Sequence, residues 1–258
     1  MVNKKIKQKK IRFDFLFSDC DLQNIHLTKD LVMVPFYLQK EFNYESRIIC
    51  SKKKNDDYGN MKNVPGLKVL FVKKPRLFYL TKYLIKNAKD IDVLMQFHTN
   101  PRQIFFCFIY KLINKNGVCY VKGDISRNIL DMNKLGLNHL FRKTKTKMIL
   151  MTADILSVED NKIYKFIRKQ YPSFQRKIVS VPNGFESKDS NIPPVLFEEK
   201  DNLIITIGRL GTYQKATENL LESLEIIKKY LKGWKILLIG TIEKNFENKI
   251  EVFYRKNP

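Results

Sequence analysis

Along the chain, short apolar runs alternate with longer segments of mixed character. The runs at 12–17, 47–50, 67–72, 93–97, 118–121, 148–152, 178–181, 203–207 and 235–239 have strand length. Most are continuous rather than alternating, the pattern of parallel strands buried on both faces. Between them, segments such as 29–40, 77–87 and 102–114 are long enough for crossover helices. Repeated β-α-β order predicts an α/β fold on an open parallel sheet.

The pattern breaks once. Residues 185–201 are polar, carry Pro193-Pro194 and have no period, as a linker does. A fresh unit follows: LIITIG, a helix over about 215–231, then KILLIG. Leu220, Leu221, Leu224, Ile227 and Leu231 give that helix one apolar stripe. The expected organisation is a Rossmann-like domain at 1–184, a linker at 185–201 and a smaller domain at 202–258.

Composition narrows the class. With 258 residues, 44% hydrophobic, the chain can bury a core and is not wholly disordered. The longest apolar run, IFFCFIY, ends at Lys111, far short of the ~20 residues of a spanning helix. The basic start MVNKKIKQKK imitates a signal peptide, but the apolar stretch after it is short and Asp14 interrupts it. A cytoplasmic location is expected. Cys20, Cys50, Cys107 and Cys119 form no C-x-x-C pair and read as reduced and mostly buried.

Charge adds a question about partners. The formal net charge is +22, and nearly all the excess precedes Val195, with 37 basic and 17 acidic residues against 11 and 9 after it. The excess fits a solvated surface, an anionic membrane surface or nucleic acid. Each basic residue beside an anionic leaflet is worth ~1 kcal/mol. Nucleic-acid readers lean on arginine, whereas lysines here outnumber arginines 38 to 10, and no RNP, KH, zinc-finger or helix-turn-helix signature occurs. No nucleic-acid partner is expected.

Several residues could carry chemistry. Asp19-Cys20-Asp21 and Asp90-Ile91-Asp92 have the D-x-D spacing that can hold a divalent metal, but only the first follows a strand, and no metal is expected. His26, Lys29 and Asp30 fall where the first strand passes into its helix, either facing a ligand or, as with Thr28 or Asp30, capping the helix. No glycine-rich dinucleotide loop is present. His98 directly follows the strand VLMQF, a position that suits either a site residue or a packed histidine. In GRLGTYQKATENLLESL, Arg209 and Lys215 flank a turn that opens a helix. Two cations beside free backbone N–H groups suit a diphosphate, or simply face water.

The segment LIITIGRLGTYQKATENLLESL resembles the opening of the nucleotide-sugar domain in retaining family-four glycosyltransferases of the GT-B fold. Gly208, Arg209 and Lys215 match that family's Gly-Arg with a lysine six residues on. IVSVPNGF at 178–185 is similar to its V-P-N-G turn, which would make Asn183 and Gly184 the domain junction. ADILSVED at 153–160, IHLTKDLVMVPFYL and DVLMQFH resemble further family segments. The resemblance implies a GT-B-like fold, with an N-terminal Rossmann-like parallel-sheet domain and the first β-α-β unit of a second. It implies sugar transfer from a nucleotide-diphospho-sugar to a glycan or lipid-linked acceptor in cell-surface polysaccharide synthesis, without a cofactor. Gly208, Arg209 and Lys215 would hold the donor diphosphate. His98 would be catalytic, touching the donor sugar or stabilising its oxocarbenium-like centre, and His26, Lys29 and Asp30 would line the acceptor side. The family's paired-glutamate motif lies beyond two strands of that domain, where this sequence stops. Glu243 and Glu251 have its spacing but read as a surface helix. A fragment, a truncated product or an inactive enzyme is therefore expected, with one apolar sheet face left open. The alternative is a basic nucleic-acid-binding or scaffold protein on an α/β fold.

Overall fold

Eight of the nine apolar runs become strands in the computed structural model, which describes residues 10–125, 129–130, 137–184 and 195–257. Most of the expected linker, 185–194, lies outside the described residues. The strands are β1 (Arg12–Leu16), β2 (Glu45–Ser51), β3 (Lys68–Val72), β4 (Val93–Phe97), β5 (Val118–Gly123), β6 (Ile155–Val158), β7 (Ile178–Ser180), β8 (Leu203–Ile207) and β9 (Lys235–Ile239). The helices are α1 (Asp30–Phe42), α2 (Arg76–Asn87), α3 (Pro101–Ile113), α4 (Leu137–Thr152), α5 (Asn161–Gln170), α6 (Thr217–Ile227) and α7 (Glu247–Lys256). Two compact units result, residues 1–186 and 187–258.

The first unit holds a seven-stranded sheet in the order β3-β2-β1-β4-β5-β6-β7, parallel throughout. Strand order reverses between β1 and β4, and open α/β sheets bind ligands outside the carboxyl ends of strands at such a point. Side chains alternate between two cores. Phe13, Phe15, Ile48, Cys50, Met95 and Phe97 pack with Leu31, Val32 and Phe36 of α1. Leu16, Ile49, Leu94, Cys119, Val121 and Leu156 pack with α2, α3, α4 and α5 on the other face. Both faces are thus covered, which is why the strands read as unbroken apolar runs. All four cysteines are free, and Cys50, Cys107 and Cys119 are buried.

One run is not a strand. Residues 148–152 close α4, and the strand at that place is Ile155–Val158. In 148–152, Ile149 and Leu150 are buried while Met148 and Met151 are exposed, and Thr146 and Ala153 extend the buried set at helical spacing. Four apolar residues and a threonine cannot distinguish the two periods, and Ser157 hid the true strand. Helix α5 is not among the crossover segments read from the sequence: it buries Ile163 and Ile167 with Tyr164 and Phe166 packed beside them, and Asp160 caps it by accepting from the Lys162 and Ile163 N–H groups.

In the second unit β8 and β9 pair in parallel, and α6 and α7 cover one face through Leu221, Leu224, Ile250 and Phe253. Helix α6 starts two residues later than the expected 215, because Ala216 sits in the left-handed region at φ 49°. The glutamate-bearing segment is more than a surface helix: Glu251 is exposed, but Phe246 and α7 complete this core. On the opposite face Ile205, Ile207, Leu237 and Ile239 are exposed. Among the described residues no helix is long and apolar enough to cross a membrane.

Charge enters the middle of the large sheet at β1. The Asp14 carboxylate is fully buried and takes two bonds from the Arg12 guanidinium, at 3.2 and 3.1 Å, and one from the Tyr83 hydroxyl at 2.7 Å. Arg12 also donates to Asn87, so α2 is tied to the central strand through one ion pair. Removing one partner of such a pair leaves a buried uncompensated charge, which costs about 3–5 kcal/mol. Asp14→Ala is expected to lower unfolding free energy by about that much in urea titration; a loss under about 1 kcal/mol would contradict this role.

Candidate functional site

At the carboxyl end of β4, His98 takes a left-handed backbone, φ 66°, that few non-glycine residues adopt. Its N–H donates to the Lys122 carbonyl of neighbouring β5 at 2.9 Å, holding the turn. The ring is turned back across the switch point. Nδ1 lies 2.6 Å from an Asp19 carboxylate oxygen just beyond β1, and Nε2 lies 3.5 Å from Asp124 just beyond β5. Gln103 and Asn100, from the start of α3, donate to the other Asp19 oxygen at 3.0 and 3.3 Å. A carboxylate with three donors is thus fixed beneath an imidazole whose side chain is 34% exposed.

Burial alone would depress the His98 pKa, but the bonds to Asp124 and Asp19 outweigh it and raise the value to about 9. Burial likewise opposes ionisation of Asp19, and its bonds from His98 and Gln103 overcome that and hold it below its ordinary value. Asp124 is lowered, first by its interaction with His98. At neutral pH His98 is therefore an imidazolium between two carboxylates. Asp124 and Gln103 carry no signal in the sequence, and Asp19 is singled out there only as half of a possible metal pair. Asp19 lay inside a D-x-D pattern, and a donor-bearing partner 79 positions away has no local signal.

The D-x-D pair itself is split. Asp19 serves His98, while Asp21 binds Ser51 at 2.5 Å, Lys74 at 2.8 Å and Arg76 at 3.4 Å. In the second pattern, Asp92 accepts the Arg12 N–H at the opposite end of the sheet. Among the described residues no group of three or more potential metal ligands occurs.

Two residues expected at separate sites meet in one network. Lys122, its side chain 3% exposed at the end of β5, binds Asp30 of α1 at 2.7 Å, Glu159 beyond β6 at 2.5 Å and the Asn183 amide oxygen at 3.1 Å. Asn183 donates in turn to Glu159 at 2.9 Å. Asp30 and Asn183 thus bind neighbouring strand ends together. His26 closes its own turn: Nδ1 accepts the Gln23 N–H at 3.0 Å, and burial, with Lys29 nearby, lowers its pKa, so the ring is neutral. Lys29 is exposed just before α1, and Gly184 is exposed with open space where a Cβ would stand.

In the second unit Gly208, Arg209 and Lys215 share one loop at the carboxyl end of β8. The Lys215 stem lies over Gly208 so closely that a Cβ there would stand 2.7 Å from Cε. At the matching end of β9 a Cβ on Gly240 would stand 1.7 Å from the Gly208 carbonyl oxygen, so the strand ends close together only because residue 240 is glycine. The Thr212 N–H and hydroxyl donate to the Arg209 carbonyl, and the Gly211 N–H donates to the Thr217 hydroxyl. The loop is therefore held by its own bonds while Arg209 and Lys215 stay exposed.

A group whose pKa rises on folding stabilises most below its unfolded value and loses that contribution as pH rises through the folded value. His98 should lend full stability below about pH 6.5 and none well above 9. NMR titration of the ring is expected to give a midpoint near 9. Asp19→Asn should bring the midpoint down toward the ordinary range. A wild-type midpoint at or below the ordinary 6.5 would contradict the pairing.

No family model matches the sequence, and no curated protein matches it. Among solved structures, S. aureus TarM in complex with fondaparinux, α-GlcNAc-glycerol and UDP aligns with TM-score 0.59 at 11% identity, over 95% of this chain and 75% of that one. S. aureus MnaA bound to UDP aligns at TM-score 0.48 and 11% identity, over 96% and 66%. At such identities likeness bears on fold alone, and the alignment with TarM shows an α/β, Rossmann-like chain of GT-B-like class.

Proposed function

We propose that this chain belongs to a glycosyltransferase that uses a nucleotide-diphospho-sugar. The observation that carries this reading is the β8–α6 loop, where Lys215 packs over Gly208 beside Arg209 at a parallel strand's carboxyl end. As the bond from the anomeric carbon to phosphate breaks, its electron pair stays on the leaving oxygen. Cations already in place stabilise that charge more in the transition state than in the ground state. The UDP in the TarM structure and the family resemblance of the loop support this reading.

The His98 crevice is the acceptor side in this reading. An imidazolium paired with Asp19 is a hydrogen-bond donor, not a base, and it would repel rather than stabilise an oxocarbenium-like carbon. Its role is to donate to an oxygen of the donor sugar or acceptor. Retention at the anomeric carbon, a glycan or lipid-linked acceptor of cell-surface polysaccharide and docking on an anionic leaflet complete the proposal.

Calorimetric titration with UDP and GDP tests it on this chain without a turnover assay. One of the two should bind, and Arg209→Ala and Lys215→Ala should each weaken it about tenfold or more, since a hydrogen bond to a charged group is worth about 1.5–3 kcal/mol. Both substituted side chains are exposed, so the fold should persist. Unchanged affinity in both variants, or tight salt-sensitive binding of oligonucleotides in place of nucleotide, would overturn the reading.

A further inference from the structure

Helices α2, α3 and α4 cover one face of the large sheet, with α3 packed between the other two. Their inward sides supply the core, as with Leu84, Phe106 and Ile149. Their outward sides are apolar as well. On α3, Phe105, Phe108 and Leu112 are exposed and stand three and four residues apart, so they form one stripe along the helix. Phe108 is 53% and Leu112 61% exposed. Phe78 and Ile85 extend this surface on α2, and Phe141, Met148 and Met151 extend it on α4. A helix apolar on all sides is one that something covers, and contiguous exposed apolar surface marks an interaction site.

The charge around these side chains has one sign. No acidic residue lies within α2, α3 or α4, whereas Lys82, Lys86, Arg102, Lys143 and Lys147 are exposed on them. The acids nearest in sequence, Asp90 and Asp154, lie just past the ends of α2 and α4, and Lys111 takes Asp154 at 3.0 Å. Helix α5, on the same sheet face, is equally basic but exposes no large apolar residue, and α1 on the other face carries Asp30 and Glu41. We propose that the outer face of α2, α3 and α4 docks on an anionic lipid leaflet, its Phe, Leu and Met side chains entering the headgroup–acyl boundary while its lysines meet lipid phosphates. A second copy of this chain would set lysine against lysine. Nucleic acid would meet the lysines but leave the aliphatic side chains in water. The surface rests on the leaflet docking in the proposed function, not on sugar transfer.

Sedimentation of the full chain with phosphatidylglycerol or phosphatidylcholine vesicles, at neutral pH and low salt, tests the surface. Binding to the first should exceed binding to the second at least tenfold. Phe108→Ser with Leu112→Ser, which leaves net charge unchanged, should weaken it at least tenfold. Lys82→Gln, Lys143→Gln and Lys147→Gln together should weaken it more than the same loss of charge on α5, made as Lys162→Gln, Lys165→Gln and Lys169→Gln. All these side chains are exposed, and circular dichroism checks each fold. Phe108→Trp gives a conservative second readout: on phosphatidylglycerol vesicles its fluorescence should shift to the blue and be quenched by brominated lipid, beyond any change in Trp234. Equal loss from the two lysine sets with none from the serines would reduce binding to bulk charge and overturn the surface. No binding, or equal binding to both vesicles, would overturn it too. So would lipid-free self-association or oligonucleotide binding that the serines abolish, which would assign a second copy or a nucleic acid instead. A chain that binds UDP or GDP but no vesicles loses this surface and keeps the transferase reading; one that binds vesicles through α3 but neither nucleotide does the reverse.

Discussion

In a parallel sheet packed on both faces, a charge can be solvated only at a strand end, and a charge inside must meet its counter-charge. That constraint orders most of the polar chemistry of the larger unit. Arg12 and Asp14 are the exception admitted to the interior, and they enter as a pair closed by Tyr83 and Asn87. Elsewhere ionisable groups gather at strand ends: Asp19 and Asp21, His98, Lys122 and Asp124, and Glu159 at the carboxyl ends of β1, β4, β5 and β6, and Glu45, Asp92 and Asp154 at amino ends.

These groups divide into two kinds by solvent access. Lys122 is closed off, and its bonds to Asp30, Glu159 and Asn183 tie α1 to the ends of β5, β6 and β7. Its pKa is held up against burial by the two carboxylates, so it stays charged and the network stays intact. His98 is fixed just as firmly from below by Asp19 but keeps a third of its side chain open to a cleft. A rigid, charged donor at the edge of a cavity is the form that electrostatic preorganisation takes. In the smaller unit the same strand-end logic produces a different surface: Gly240 lets the strand-end backbones approach, and Arg209 and Lys215 are exposed there, with the Lys215 stem lying over Gly208.

Much of the fold was legible because parallel strands announce themselves as unbroken apolar runs, and eight of those were strands. The exception, 148–152, failed where a five-residue run fits both periods, and the serine in Ile155–Val158 masked its neighbour. Sites were legible by position but not by partner. His98 was placed by following a strand, yet Asp19, which with Asp124 sets its charge, sits in a pattern suited to metal binding. Asp30 and Asn183 were flagged as site and junction residues, and only the fold brings Lys122 between them. Such pairings span 61 and more positions and leave no trace in local spacing. Gly208, Arg209 and Lys215 lie within one loop, so their proximity was readable directly.

The central claim is that the loop after β8 receives a nucleoside diphosphate. Mapping backbone amide shifts in the isotope-labelled chain during titration with UDP and GDP tests it most directly. The account predicts saturable shifts, with one of the two nucleotides, concentrated at Gly208 to Ala216 and the first turn of α6, where N–H groups and cations converge. Shifts confined to the larger unit, or none at saturating concentrations of both nucleotides, would contradict it.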